Sequence, residues 1–235
     1  SVTIDKFTIR NAGGKSYGVR TMIEVLDKSL NTGAIFAMRS IGAPAFKSYV
    51  DRFGFGKLTG IELAGEEDGT ISSLDKSGEI YSATASFGHG ITATPIQLVT
   101  AYAAIARGGI IVKPHIIASV ITEAGEQEVP IQEGERVITP ETAQTITAML
   151  VSVVKNGFSK KAGVNGYSIA GKSGTAQISN TNGPGYSDET IHSFIGFGPI
   201  DEQGPVFVML VKLDKPKGLP YASDTVAPLF SDIAK

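Results

Sequence analysis

The chain has 235 residues, 42% of them hydrophobic and 19% charged, enough to build a sizeable core and too apolar for disorder to be the main state. A formal charge of −2 supplies no general cationic field, so nucleic acid and anionic lipid are not expected partners. With no Cys at all, disulfides, thiolate zinc sites and a cysteine nucleophile are excluded. The longest apolar stretches, such as Ala101–Ala106, fall far short of the roughly 20 residues of a membrane span, and no segment reads as a signal peptide.

In chain order, Ser1–Asn11 places Val2, Ile4, Phe7 and Ile9 as a short strand or extended arm would. Thr21 with Glu24 forms a capping box, and Met22, Ile23, Val25 and Leu26 give a helix from Met22 to Lys28 its apolar side. Thr32–Ile41 reads as a second helix stopped by Gly42. Pro44 opens a third, which Gly54 closes. Ser29-Leu30-Asn31 is left at the junction of the first two helices.

Gly54–Ser73 is rich in Gly, acidic and Ser residues and reads as a solvated loop, since its carboxylates lack the alternate spacing and distal Glu of a calcium site. Thr94-Pro95 starts a long helix that ends at Gly108-Gly109. Ile116–Thr122 and Glu128–Gln132 flank 123–127 as a surface hairpin, and another long helix runs from Thr139-Pro140 to Asn156-Gly157.

The last third changes character. Tyr167–Ile178, Ser193–Ile200 and Val206–Leu213 read as strands, the latter two joined by the short turn 201–204 and hence antiparallel. A helix around Asp224–Ala234, with Pro228 as an expected kink, closes the chain. The fold class is therefore α+β: a mainly helical part, 1–157, followed by an antiparallel sheet with a terminal helix, 158–235.

Gly166–Ser173 matches G-x-x-x-x-G-K-[ST], the phosphate loop of NTPases. That chemistry needs a buried strand before the loop and a helix directly after it. Here a loop, Asn156–Lys161, lies upstream, and Gly174–Asn180 followed by a Gly/Asn/Pro tract lies downstream. The NTPase is kept only as a remote alternative.

Lys172-Ser173-Gly174-Thr175 is better read as part of a strand that carries a cation, two hydroxyls and bare backbone. Such a strand suits a peptide substrate with a terminal carboxylate: Gly174 lets an extended chain lie alongside, while Lys172, Ser173 and Thr175 offer donors. Strand alternation puts Ser173 and Thr175 on one face and Lys172 on the other, so convergence is expected to need a twist or bulge at Gly174.

Ser29-x-Asn31, Ser86-Phe87-Gly88-His89-Gly90-Ile91 leading into Thr94-Pro95-Ile96-Gln97-Leu98, and Lys172-Ser173-Gly174-Thr175-Ala176 together resemble the penicillin-binding protein transpeptidases, class B type. Thr59–Leu63, His192–Phe197 and Ala222–Phe230 are similar to that family in the expected order.

The resemblance implies a penicillin-binding transpeptidase fold and a peptidoglycan D,D-transpeptidase. Such an enzyme acts on D-Ala-D-Ala stem peptides, is a target of β-lactams and works with cell-wall synthesis or division proteins outside the cytoplasmic membrane, without a cofactor. By the same resemblance Ser29 relays protons, Asn31 holds the substrate amide and orients the catalytic lysine, and Lys172 sits against Ser29 and supplies positive potential. Ser173, Gly174 and Thr175 bind substrate, with the Thr175 N–H as an oxyanion donor. His89, His115 and His192 are read as structural.

The family's nucleophile is the serine of a Ser-x-x-Lys placed upstream of Ser-x-Asn, and no such pattern precedes Ser29. Ser73-Leu74-Asp75-Lys76 and Ser152-Val153-Val154-Lys155 match the spacing but follow Ser29 and are read as chance matches. The expectation is a C-terminal portion of a transpeptidase domain, with the nucleophile, further strands and a membrane anchor upstream. A non-catalytic scaffold or β-lactam sensor is the alternative.

Overall fold

The computed structural model describes residues 1–180, 183 and 185–235. Val2–Ile4 (β1) and Phe7–Ile9 (β2) pair antiparallel, so the expected single arm is a small hairpin, turned by Asp5 at φ 51°. The Thr21–Glu24 capping box starts Met22–Asp27 (α1). Asn31–Ile41 (α2) and Ala43–Arg52 (α3) follow, hinged at Gly42 with φ 82°. Glu79–Ala85 (α4) has no counterpart in the sequence reading: its short run of Ser, Thr and Ala has no cap and little apolar period. Tertiary packing supplies what propensity does not, because Ala83 closes a core with Ile4, Ile35 and Met38.

Pro95–Ala106 (α5) begins at the Thr94–Gln97 capping box. Ile110–Val112 (β3), Ser119–Thr122 (β4), Gly125–Glu128 (β5) and Glu133–Arg136 (β6) form two small antiparallel pairs, β3 with β6 and β4 with β5. The hairpin near 116–132 is thus present, but Thr122 faces Gly125 across a two-residue turn and Glu128–Gln132 is not its second strand. Gly125, the residue that follows the two turn residues, sits at φ 111°, a backbone angle that glycine takes without strain.

Pro140–Lys155 (α6) precedes the main sheet of Ala170–Ser179 (β7), Tyr186–Gly198 (β8) and Phe207–Asp214 (β9), antiparallel in the order β7-β8-β9. Ala222–Ile233 (α7) ends the fold and continues through Pro228 without interruption. Thr181, Asn182 and Pro184 of the Gly/Asn/Pro tract lie outside the described residues.

Helices cover the sheet on both faces. On one, Ala170 and Phe197 pack with Leu150 of α6 and Tyr102 and Ile105 of α5. On the other, Phe194 and Val211 pack with Val226, Ala227 and Phe230 of α7, the Phe194 and Phe230 rings meeting edge to face at 4.6 Å. Each such fully buried side chain stabilises by roughly 1.5–3 kcal/mol. The alternation that sends Ala170 to one face and Gly171 to the other decides where Lys172, Ser173 and Thr175 point.

Candidate active site

α1 ends at Asp27 and α2 starts at Asn31, which leaves three residues to reverse the chain. The turn is closed by Ser29 N–H to the Leu26 carbonyl at 3.1 Å and Leu30 N–H to the Val25 carbonyl at 2.9 Å. Both bonds hold Ser29 at φ 50°. A non-glycine residue in this left-handed region costs on the order of 1–3 kcal/mol and persists only where its surroundings fix it. The result presents the Ser29 hydroxyl to Lys172, whose Nζ donates to Ser29 Oγ at 2.9 Å and to the Ser173 carbonyl at 2.7 Å. No carboxylate pairs with this ammonium among the described residues. Burial pushes the Lys172 pKa down to about 8, because a desolvated cation is disfavoured.

Ser173 and Thr175 leave β7 on the opposite face. Ser159 Oγ donates to Ser173 Oγ at 3.0 Å, and the Ala222 N–H at the start of α7 donates to Thr175 Oγ1 at 3.0 Å. A hydroxyl that accepts one protein hydrogen bond keeps its own proton to donate. Both hydroxyls are therefore set as donors beside a cation, the combination that binds a carboxylate.

Of the twist or bulge expected at Gly174, the bulge is absent: the β7–β8 register runs evenly from Ala170 to Gln177 and shifts only between Gln177 and Ser179. Convergence needs no bulge, because β7 is an edge strand. Lys172 comes from one face, Ser173 and Thr175 from the other, and they flank the same free edge. A side chain at Gly174 would meet Ser193 Oγ at 2.7 Å, so the bare edge is also a consequence of close cross-strand packing.

Asn31 opens α2, two residues after Ser29. Its Nδ2 donates to the Arg10 carbonyl at 2.9 Å, tying the N-terminal segment to α2. In neither Ser-x-x-Lys match does a hydrogen bond join the serine to its lysine among the described residues. Ser152 Oγ donates to Asp27 Oδ2 at 3.1 Å, and Ser73 Oγ is buried with no hydrogen bond while Lys76 lies over the Tyr81 ring. The phosphate-loop alternative fails here too: Gly171–Ser173 is inside β7, and the next element among the described residues is the strand β8, not a helix.

Ser159 is marked by no motif in the sequence, whereas His192 and Ala222 stand in the family-like segments and His192 is read as structural; the partners of all three lie at long chain separations and are seen only in the fold. His192 is fully buried opposite Thr175, with Nε2 against Thr190 Oγ1 at 3.0 Å and Nδ1 against Thr225 Oγ1 at 2.8 Å. It fastens the first turn of α7, and so the Ala222 N–H, to the strand behind Thr175. Burial holds its pKa below the ordinary histidine value.

Comparison with known proteins matches all of residues 1–235 to the penicillin binding protein transpeptidase domain. Stage V sporulation protein D of Bacillus subtilis is 36% identical over 93% of this chain and 34% of its own length. Penicillin-binding protein PbpB of Mycolicibacterium smegmatis is 36% identical over 100% of this chain and 38% of its own. Penicillin binding protein 3 of Mycobacterium tuberculosis, solved with aztreonam, superposes with a TM-score of 0.90 at 31% identity, covering 99% of this chain and 54% of that one. The chain thus spans a little over a third of the length of these curated relatives.

Proposed function

The chain belongs to the penicillin-binding protein transpeptidase family, and we propose that it is the carboxylate-binding and proton-relay portion of a peptidoglycan D,D-transpeptidase whose nucleophilic serine lies outside these residues. One observation carries this reading. The Lys172 ammonium rests on Ser29 Oγ without a carboxylate partner among the described residues, beside two hydroxyls whose protons are free to donate. A half-buried, unpaired cation among donors is poorly satisfied unless an anion visits.

In the proposed reaction a D-Ala-D-Ala stem peptide lies along the β7 edge, its terminal carboxylate on Ser173 and Thr175 within the field of Lys172. The external serine passes its proton to the lysine of its own Ser-x-x-Lys segment and attacks the penultimate carbonyl, and the Thr175 N–H stabilises the oxyanion. D-Alanine leaves with a proton relayed through Ser29. The amine of a second stem peptide then displaces the serine, which recovers a proton. Asn31, its amide nitrogen fixed on Arg10, offers its carbonyl end to the substrate amide and to the orientation of the nucleophile's lysine.

β-Lactams, which mimic the acyl donor, would acylate the same serine, and the solved relatives with aztreonam and ampicillin support this. The same reading implies work outside the cytoplasmic membrane alongside cell-wall synthesis or division proteins. Labelling of the intact protein with a fluorescent penicillin tests it: wild type should label covalently and Lys172→Ala should label at least tenfold more slowly. Equal rates would refute the role given to Lys172, and reversible binding without an adduct would favour the sensor reading.

A further inference from the structure

We propose that the turn Gly157-Phe158-Ser159 is a positioning element that sets the spacing of the two walls of the cleft, and that Ser159 holds Ser173 in its donor state. The turn leaves the C-terminus of α6 and touches both walls. On the helical side the Phe158 N–H donates to the Asp27 carbonyl at 3.0 Å, two residues before Ser29. On the sheet side the Ser159 hydroxyl donates to Ser173 Oγ at 3.0 Å. Consecutive Cα atoms stand about 3.8 Å apart across a trans peptide, so one residue step joins the end of α1 to β7. The walls cannot part without breaking one of these bonds.

Gly157 makes the approach possible. An added Cβ would lie 2.6 Å from the Asp27 carbonyl oxygen and 2.9 Å from its Cα, and backbone atoms cannot swing aside. Asp27 is fixed on its other side as well, its Oδ2 accepting from Ser152 Oγ, which Asn156 Nδ2 also meets at 3.1 Å. Ser159 is 1% exposed and out of reach of a ligand. It acts through Ser173: by donating to that oxygen it polarises the Ser173 hydroxyl, as neighbouring hydrogen bonds in a chain strengthen one another.

This inference rests on the reading that Ser173 binds a carboxylate, and it is tested in the intact protein with benzylpenicillin acylation kinetics. Loss of one neutral hydrogen bond is worth roughly a 2- to 10-fold change. Ser159→Ala should raise the half-saturating penicillin concentration by about that factor, change the limiting rate little, and have no further effect in a Ser173→Ala background. Additive effects, or a fall in limiting rate alone, would overturn it. Gly157→Ala supplies a readout independent of acylation: opening the cleft hydrates the Lys172 ammonium, so its titration, followed by NMR of labelled lysine, should move up from about 8. An unmoved midpoint in a folded variant would count against the brace. A wild-type protein that takes up no penicillin would sink the transpeptidase reading and leave this titration to decide the role of the turn.

Discussion

The Lys172 ammonium donates to the Ser29 hydroxyl at 2.9 Å across a separation of 143 residues. One partner lies in the turn between two helices and the other on the edge of a sheet, so this bond marks where the two parts of the fold meet. Its acceptor sits in a left-handed backbone conformation and its donor in a desolvated position, and both choices cost stability. They make sense together as a site prepared for an anion.

The charge on Lys172 sets a pH dependence. With its pKa pushed down to about 8, the ammonium is lost as pH rises through that value. Affinity for carboxylate ligands should fall by about tenfold between pH 7 and 9, as the charged fraction of Lys172 drops, if the contact is a charge-assisted hydrogen bond. Calorimetric titration across that range checks it, and a flat profile would deny Lys172 the carboxylate. Between about 8 and the ordinary lysine value the unfolded chain binds the proton that the folded one has released, so folding stability should rise with pH there. Lys172→Met should remove that rise.

Thr175 has two jobs that substitution can separate. Thr175→Val keeps the shape but leaves the buried Ala222 N–H without its acceptor, at a cost of about 1–3 kcal/mol. Thermal unfolding should show that loss together with weaker carboxylate binding. Thr175→Ser, which retains the hydroxyl, should restore both, and a stable valine variant would remove the α7 contact from the account.

His192 predicts acid sensitivity. Burial depresses its folded pKa, so below the ordinary histidine value the unfolded chain takes up a proton that the folded chain refuses. Stability should be lost as pH falls from about 6.5 toward the lower folded value, and restored on return to pH 7. His192→Gln should start less stable at pH 7 and show a shallower decline. A decline as steep as that of wild type would assign the acid sensitivity to other groups.

Ser152→Ala distinguishes a structural serine from a nucleophile. It would leave both oxygens of the buried Asp27 carboxylate without hydrogen bonds and should destabilise by about 1–3 kcal/mol. The variant should still form a penicillin adduct. Loss of the adduct in a folded variant would reopen Ser152 as the reactive group.

Local chemistry made much of this legible in the sequence. Thr21–Glu24 and Thr94–Gln97 announce their helices through caps, and the antiparallel sheet follows from β-branched and aromatic runs, although β8 and β9 are joined by residues 199–206 and not by the four-residue turn expected. The ordered motifs around Ser29, His89 and Lys172 carry the family resemblance. What stayed hidden depends on contacts between distant residues. α4 is held by packing rather than propensity, β3 and β6 pair across more than twenty residues, and Ser159 and His192 have meaning only against partners on other elements. Gly157 shows the difference well. It reads as a helix stop, yet its backbone is not left-handed, and its requirement is the close passage of Asp27.

The central claim is that this chain supplies the carboxylate site and proton relay to a serine it does not itself contain. Mass-spectrometric mapping of the penicillin-acylated peptide from the intact protein tests it most directly. The account predicts a single acylated serine, in a Ser-x-x-Lys segment outside residues 1–235. An adduct on Ser29, Ser73 or Ser152 would contradict it.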